Sequence, residues 1–174
     1  MEIFLTLLLM VFLLVFKGFF SGSEIAMVNA DKVKLNALAG KGHKGSRMVL
    51  DEFRSPETLL GTTLVGTNIA TIVLTTIGTL LMIRLVGHNG DWIAFLVFTP
   101  LFLVLGEIVP KSVYQHRSTQ IAPKAIYLLR AFRYLFFPVV ISFSRIARLA
   151  SRAFGGGRVE QNVFMTRELI RSVV

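Results

Sequence analysis

Long apolar runs separated by short polar, basic segments dominate the pattern along the chain. The first runs from about Ile3 to Val28 and opens as a nearly pure Leu/Phe/Val/Met stretch before changing character at Lys17-Gly18-Phe19-Phe20-Ser21-Gly22-Ser23-Glu24. A second opens at Ser55-Pro56-Glu57 and continues, rich in threonine, to about Val86. Its start has a hydroxyl cap, a proline at the first helical position and an acid at the positive end of the dipole. A third follows the short Gly87–Asp91 loop, from Trp92 to about Val109, and ends in Gly106-Glu107-Ile108-Val109-Pro110-Lys111. Each approaches or exceeds the roughly 20 residues a helix needs to cross a bilayer. A signal peptide would explain one such run, but not three.

Between the first two runs lies a polar segment, Asn29 to Arg54, interrupted by Gly40, Gly42 and Gly45. A pair of short helices at the membrane surface is its simplest form. After Pro110 the apolar core Tyr134–Ser144 is only about half the length a crossing requires. Arg130, Arg133, Arg145, Arg148 and Arg152 flank it at helical spacings. This reads as an amphipathic helix on the membrane surface, bent near Pro138, its arginines meeting anionic lipid headgroups. Gly155-Gly156-Gly157 then breaks the chain before a further helix start at Thr166-Arg167-Glu168. The fold class expected is an all-α membrane protein with three transmembrane helices and cytoplasmic juxtamembrane amphipathic helices. A transmembrane domain over 1–155 precedes a linker and the start of a cytoplasmic domain over 156–174.

Composition sharpens this. Of 174 residues 53% are hydrophobic and 17% charged, with 15 phenylalanines and no cysteine. Without cysteine there is neither a disulfide framework nor a thiolate metal site. The net charge of +9 does not indicate nucleic acid. The basic residues fall between and after the apolar runs, as in cytoplasmic loops, rather than on a soluble reading face. Six lie in Asn29–Arg54 (Lys32, Lys34, Lys41, Lys44, Arg47, Arg54), and the segment after Pro110 is richer still. Only Arg84 stands near the loop between the second and third runs. The positive-inside rule therefore puts the N-terminus outside and the C-terminus in the cytoplasm of a multi-pass plasma-membrane (bacterial inner-membrane) protein.

Polar groups inside a span are expensive and so are candidates for function. Ser21, Ser23 and the glycine between them weaken a helical ladder, and a bent or unwound turn there would release carbonyls. Asn68 in Gly66-Thr67-Asn68 offers an amide oxygen near the middle of the second span, and Gly66 allows close backbone approach. Pro110 cannot donate to the Gly106 carbonyl, and Glu107 brings a formal charge. Hydroxyl, amide, carbonyl and carboxylate oxygens suit Mg²⁺, Ca²⁺ or Na⁺ and disfavour zinc and copper. Each feature also has a structural reading. Gly18-x-x-x-Gly22 is a close-packing motif in lipid, Glu107 and Lys111 are spaced as an ion pair, and Asn68 suits interhelical hydrogen bonding. The threonine series Thr62, Thr63, Thr67, Thr71, Thr75, Thr76 reads as back-bonded packing. Lys17 reads as packed in a polar interior or snorkelling, and His43, His88 and His116 as incidental. An intramembrane serine hydrolase lacks a base near Ser21, so no enzyme is expected.

Phe20-Ser21-Gly22-Ser23-Glu24-Ile25-Ala26, the span with Gly66-Thr67-Asn68, and Gly106-Glu107-Ile108-Val109-Pro110-Lys111 together resemble the transmembrane domain of the CorC / cyclin M family. That resemblance implies a homodimer of three-span subunits exporting magnesium, coupled to sodium entry, with Mg²⁺ as the transported ion. It implies Ser21, Ser23, Gly66 (through its carbonyl), Asn68 and Glu107 as ligands, with Lys111 steadying the site, and a cytoplasmic CBS-domain pair after residue 155. A membrane Mg²⁺ sensor or scaffold that binds without transporting is the alternative.

Overall fold

A computed structural model describes residues 1–54 and 56–153, with side chains described there except for Glu57 and 137–153. The expected Ser55 cap, the Gly155–Gly157 break and the 156–174 segment lie outside the described residues. Two compact units divide the chain, Met1–Val140 and Ile141 onward, and the account below concerns the first.

Among the described residues three helical segments are long and apolar enough to cross a membrane: Glu2–Asn29, Thr58–Val86 and Gly90–His116. The first contains α1 (Glu2–Val28), the second most of α4 (Pro56–Val86). The third is composite: α5 (Gly90–Leu103), a π-helical turn (Val104–Ile108) and α6 (Val109–His116). The 27 residues of α1 rise about 40 Å, enough for the hydrocarbon core. Asn29–Arg54 forms the two expected short helices, α2 (Lys32–Gly40) and α3 (Lys44–Glu52). The Asp31 carboxylate caps α2, accepting from the N–H groups of Val33 and Lys34 at 2.9 and 3.1 Å. His43, incidental on the sequence reading, caps α3 through Nδ1, which accepts from the Ser46 N–H at 3.2 Å. Gly87 turns the chain from α4 into α5 at φ +82°, a conformation that favours glycine.

The packing answers two expectations. Gly18 and Gly22 are indeed close-approach sites, but toward the third span. A methyl group on Gly18 would lie 2.9 Å from the Pro110 ring, and one on Gly22 would lie 2.7–2.9 Å from Tyr114 ring atoms. Helix α6 is thereby seated in α1. The unwound turn expected at Ser21–Ser23 does not form, since α1 is helical to Val28. Side chains packed into the glycine positions support the ladder there, and its carbonyls stay within the helix.

The second concerns α7 (Ser118–Ala153), continuous through Pro138. Ala122, Ala125, Ile126, Leu129 and Phe136 on its first half are buried in one cluster with Phe20, Met27, Leu35, Val49 and Leu59. Tyr134 and Leu135 are exposed, and the side chains of the rest of the expected surface segment, 137–144, lie outside those described. Phe132 meets Phe16 and Phe20 edge-on at centroid distances of 5.2 and 5.1 Å. Arg130 and Arg133, expected at lipid phosphates, converge on Glu52 of α3. Arg130 Nε donates to Oε1 at 3.0 Å and Arg133 Nη1 to Oε2 at 2.9 Å. The Glu52 side chain is 3% exposed, and this double pairing is what makes burying its charge tolerable. The side chains of Arg145, Arg148 and Arg152 lie outside those described.

Candidate functional site

The site begins with Pro110. Having no N–H, it cannot continue the i→i−4 ladder, and its ring crowds the carbonyl four positions back, that of Gly106. The helix absorbs this by widening. The Val109 N–H reaches the Val104 carbonyl, five residues back, closing the π-turn Val104–Ile108. Such turns re-aim side chains and concentrate at functional sites. Glu107 stands on this one. Gly106, beside it, is buried because Lys17 of α1 crosses it: a methyl there would lie 2.9 Å from Lys17 Cδ.

Facing the π-turn is a cavity of about 420 Å³ between α1, α4 and the third span. Its wall comprises Lys17 and Glu24 from α1, and Leu64, Thr67, Asn68, Thr71 and Thr75 from α4. The third span adds Thr99, Phe102, Leu103, Glu107 and Lys111. Two carboxylates and two ammonium groups therefore share one intramembrane space with an amide and four threonine hydroxyls. Lys17 is 4% exposed and its Nζ donates to the Phe102 carbonyl at 3.3 Å. The expected Glu107–Lys111 pair is present, with Lys111 Nζ donating to Oε1 at 3.0 Å. Glu24 is half-buried and makes no ion pair among the described residues.

Of the five residues expected from the sequence, the cavity brings Asn68 and Glu107 together, and Ser21, Ser23 and Gly66 are not on its wall. Gly66 faces Phe20 at the α1–α4 seam, where a methyl would lie 2.7 Å from three ring atoms. Ser21 and Ser23 are fully buried within the bundle, and their Oγ atoms have no hydrogen-bond partner. Helical serines ordinarily return the hydroxyl to a carbonyl a turn earlier. These two do not, and an unpaired buried hydroxyl costs about 1–3 kcal/mol. Ser21 stands between Lys17 and Glu24 on one helical stripe, at spacings of four and three, so it shares the face that carries both to the cavity. Glu24 and the threonines are the wall residues that the sequence reading did not select. The rule that flagged Glu107, a carboxylate next to a span's polar motif, applies equally to Glu24.

Among the described residues no group of three or more His, Cys, Asp or Glu side chains is placed to hold a metal. A resident zinc or iron centre needs such a group, whereas a weakly held hard cation is served by one carboxylate and neutral oxygens.

Comparison with known proteins places residues 8–174 under the family model of the cyclin M transmembrane N-terminal domain. The chain is 30% identical over 138 residues to UPF0053 inner membrane protein YfjD of Escherichia coli, covering 79% of this chain and 32% of that protein. It is 28% identical over 167 residues to a UPF0053 protein of Haemophilus influenzae, covering 96% and 40%. A third relative, the polyamine export protein of H. influenzae, is 27% identical over 187 residues, covering 100% and 43%. The chain thus spans 32–43% of the length of these curated relatives.

Proposed function

The chain belongs to the cyclin M transmembrane N-terminal domain family, and from that premise we propose that it carries magnesium ions across a bacterial inner membrane. The direction is export, driven by sodium entry, with the α2–α3 segment and α7 on the cytoplasmic side. The observation that carries this reading is that Asn68 and Glu107 line one cavity between the spans. Glu107 supplies the charge and Asn68 a neutral hard oxygen, and a site with so little charge releases its ion, as transport requires. The two unpaired serine hydroxyls support the same chemistry, because oxygens left unsatisfied in a packed interior call for an explanation and a passing cation provides one. Ser21 lies on the same helical stripe as Lys17 and Glu24, both on the cavity wall.

Asn68 and Thr99 line this cavity yet are exposed on the bundle's flank. Polar groups at membrane depth do not face lipid, so a second copy of the chain covers them in a homodimer.

A second reading concerns cargo. The cavity has room for on the order of ten water molecules, far more than a bare ion needs. Its two carboxylates, Glu24 and Glu107, also suit an organic polycation, and one relative is named a polyamine export protein. Leu64, Phe102 and Leu103 on the wall can also take a polyamine's methylene segments, so the preference for magnesium rests on the neutral hard oxygens of Asn68 and the threonines beside Glu107.

The test is Mg²⁺ titration by calorimetry of the purified protein beside Ser23→Ala, Asn68→Ala and Glu107→Gln. Flux is measured in liposomes with an imposed sodium gradient. Binding and flux are both expected to fall in the Asn68 and Glu107 variants. Ser23→Ala, relieved of an orphan hydroxyl, is expected to melt higher than the parent in chelator and to gain less from added Mg²⁺. Binding unaltered by all three variants would remove the site from this cavity. Binding without flux in the parent would make the protein a sensor rather than a carrier.

A further inference from the structure

The threonines of α4 do more than pack. Thr67, Thr71 and Thr75 all line the cavity, one turn apart, so their hydroxyls recur about every 6 Å along the helix axis. Thr67 donates its hydroxyl proton to the Thr63 carbonyl at 2.9 Å, Thr71 to that of Thr67 at 2.8 Å, and Thr75 to that of Thr71 at 2.9 Å. A hydroxyl has one proton and two lone pairs. With the proton committed to backbone, each oxygen offers the cavity only acceptor sites. Opposite them stands Thr99 of α5. Because α4 and the third span form a hairpin, the rise from Thr67 to Thr75 matches that from Glu107 back to Thr99, about 12 Å. The cavity therefore has two levels: Asn68 and Glu107 at one, Thr75 and Thr99 at the other, nearer the Gly87 turn.

Oxygens about 6 Å apart cannot strip a magnesium ion, which needs about six ligands at 2.0–2.1 Å. They can accept hydrogen bonds from the water shell of an ion that keeps it. We infer that Thr67, Thr71, Thr75 and Thr99 form an acceptor-lined vestibule that holds a hydrated cation on the Gly87 side of the Asn68–Glu107 site. This rests on the cation-transport reading above and adds a second station to it. Water is exchanged for protein oxygens at Asn68 and Glu107, and hydration is kept along the threonines. The ammonium groups of a polyamine are donors of the same kind, so cargo and vestibule must be tested separately.

The experiment uses the protein in liposomes with Thr71→Val/Thr75→Val, which keeps the side-chain shape and removes the oxygens. Thr71→Ser/Thr75→Ser, which restores them, is the control for folding. Mg²⁺ flux is read with an internal indicator, radiolabelled spermidine uptake is measured in parallel, and Mg²⁺ affinity is measured by calorimetry. The valine pair is expected to slow flux about tenfold, the effect of losing roughly one acceptor contact at the barrier. Its Mg²⁺ affinity stays parental, and the serine pair transports as the parent does. Parental flux in the valine pair overturns the vestibule while leaving the Asn68–Glu107 reading intact. Lost Mg²⁺ affinity in the valine pair also overturns it, by placing those hydroxyls in the binding site itself. If spermidine moves and Mg²⁺ does not, the magnesium reading falls, and the vestibule stands only if the valine pair slows spermidine. If neither moves in the parent, both fall.

Discussion

Lys111 holds the carboxylate that a cation must reach, and replacing it with methionine tests how the two compete. Its Nζ lies 3.0 Å from Glu107 Oε1, and each side chain is 33% exposed. Two unit charges about 4 Å apart attract by about 4 kcal/mol at an effective dielectric of 20. Partial exposure and the water-accessible cavity screen much of this, and the flexible lysine surrenders entropy to hold the geometry, leaving a net value of about 1 kcal/mol. A divalent cation approaching Glu107 must share the carboxylate with this ammonium or push it aside. Lys111→Met keeps the length and apolar stem of the side chain and deletes the competing charge. Mg²⁺ affinity is expected to tighten about fivefold, the equivalent of about 1 kcal/mol. Calorimetry reads this at fixed ionic strength, and the same substitution is repeated in a Glu107→Gln background. There the gain is expected to vanish, because the interaction it removes is gone already. An unchanged or weakened affinity for Lys111→Met would refute the competition. It would mean that Lys111 serves chiefly to orient the carboxylate, so that losing it costs more than the repulsion it relieves.

Two further substitutions test the frame around the site. Gly22→Ala forces a methyl to within 2.9 Å of the base of the Tyr114 ring, which cannot swing away, and is expected to cost about 1–3 kcal/mol. Gly40→Ala, with nothing within 4 Å, should be neutral or mildly stabilising, and equal melting temperatures for the two variants would mean that α6 is not seated in α1. Glu52→Gln leaves Arg130 and Arg133 without their buried counter-charge. Since those arginines are 32% and 36% exposed, the cost is expected at about 2 kcal/mol, below that of a fully buried pair, read by melting and by faster proteolysis near α3. Parental behaviour in both measurements would show that the pairing does not hold α3 to α7.

What each residue could reveal in advance depended on whether its role is local. The Glu107–Lys111 pair follows from a spacing of four along one helix, and the broken ladder at Gly106 from a proline with no N–H, although the π-turn that absorbs it was seen only in the structure. Asn68 and Glu107 stood out because a polar group in an apolar run carries a desolvation cost wherever its neighbours are. Glu24 and the cavity-lining threonines did not stand out, although they obey the same physics. The threonines satisfy their own protons on the helix, so each is explained by packing until a cavity is seen beside it. Ser21 and Ser23 were read as the cause of a bend. Their helix instead runs unbroken to Val28, with Pro110 and Tyr114, some ninety positions away in sequence, packed on its glycines.

The sequence by itself determined three membrane-spanning helices and two short helices between the first and second. A bilayer is a uniform apolar solvent, so the transfer free energy of each segment sums along the chain without reference to the rest. Only the tertiary structure decided what the polar atoms face. It turned Arg130 and Arg133 toward Glu52, packed Phe132 and Phe136 on Phe20, and set α6 against the glycines of α1. It left two serine hydroxyls unpaired and set Asn68 and Glu107 on the wall of one open cavity. The physical reason is that a helix satisfies its backbone alone, whereas its rotation and its partners are set by side-chain packing between segments far apart in the chain.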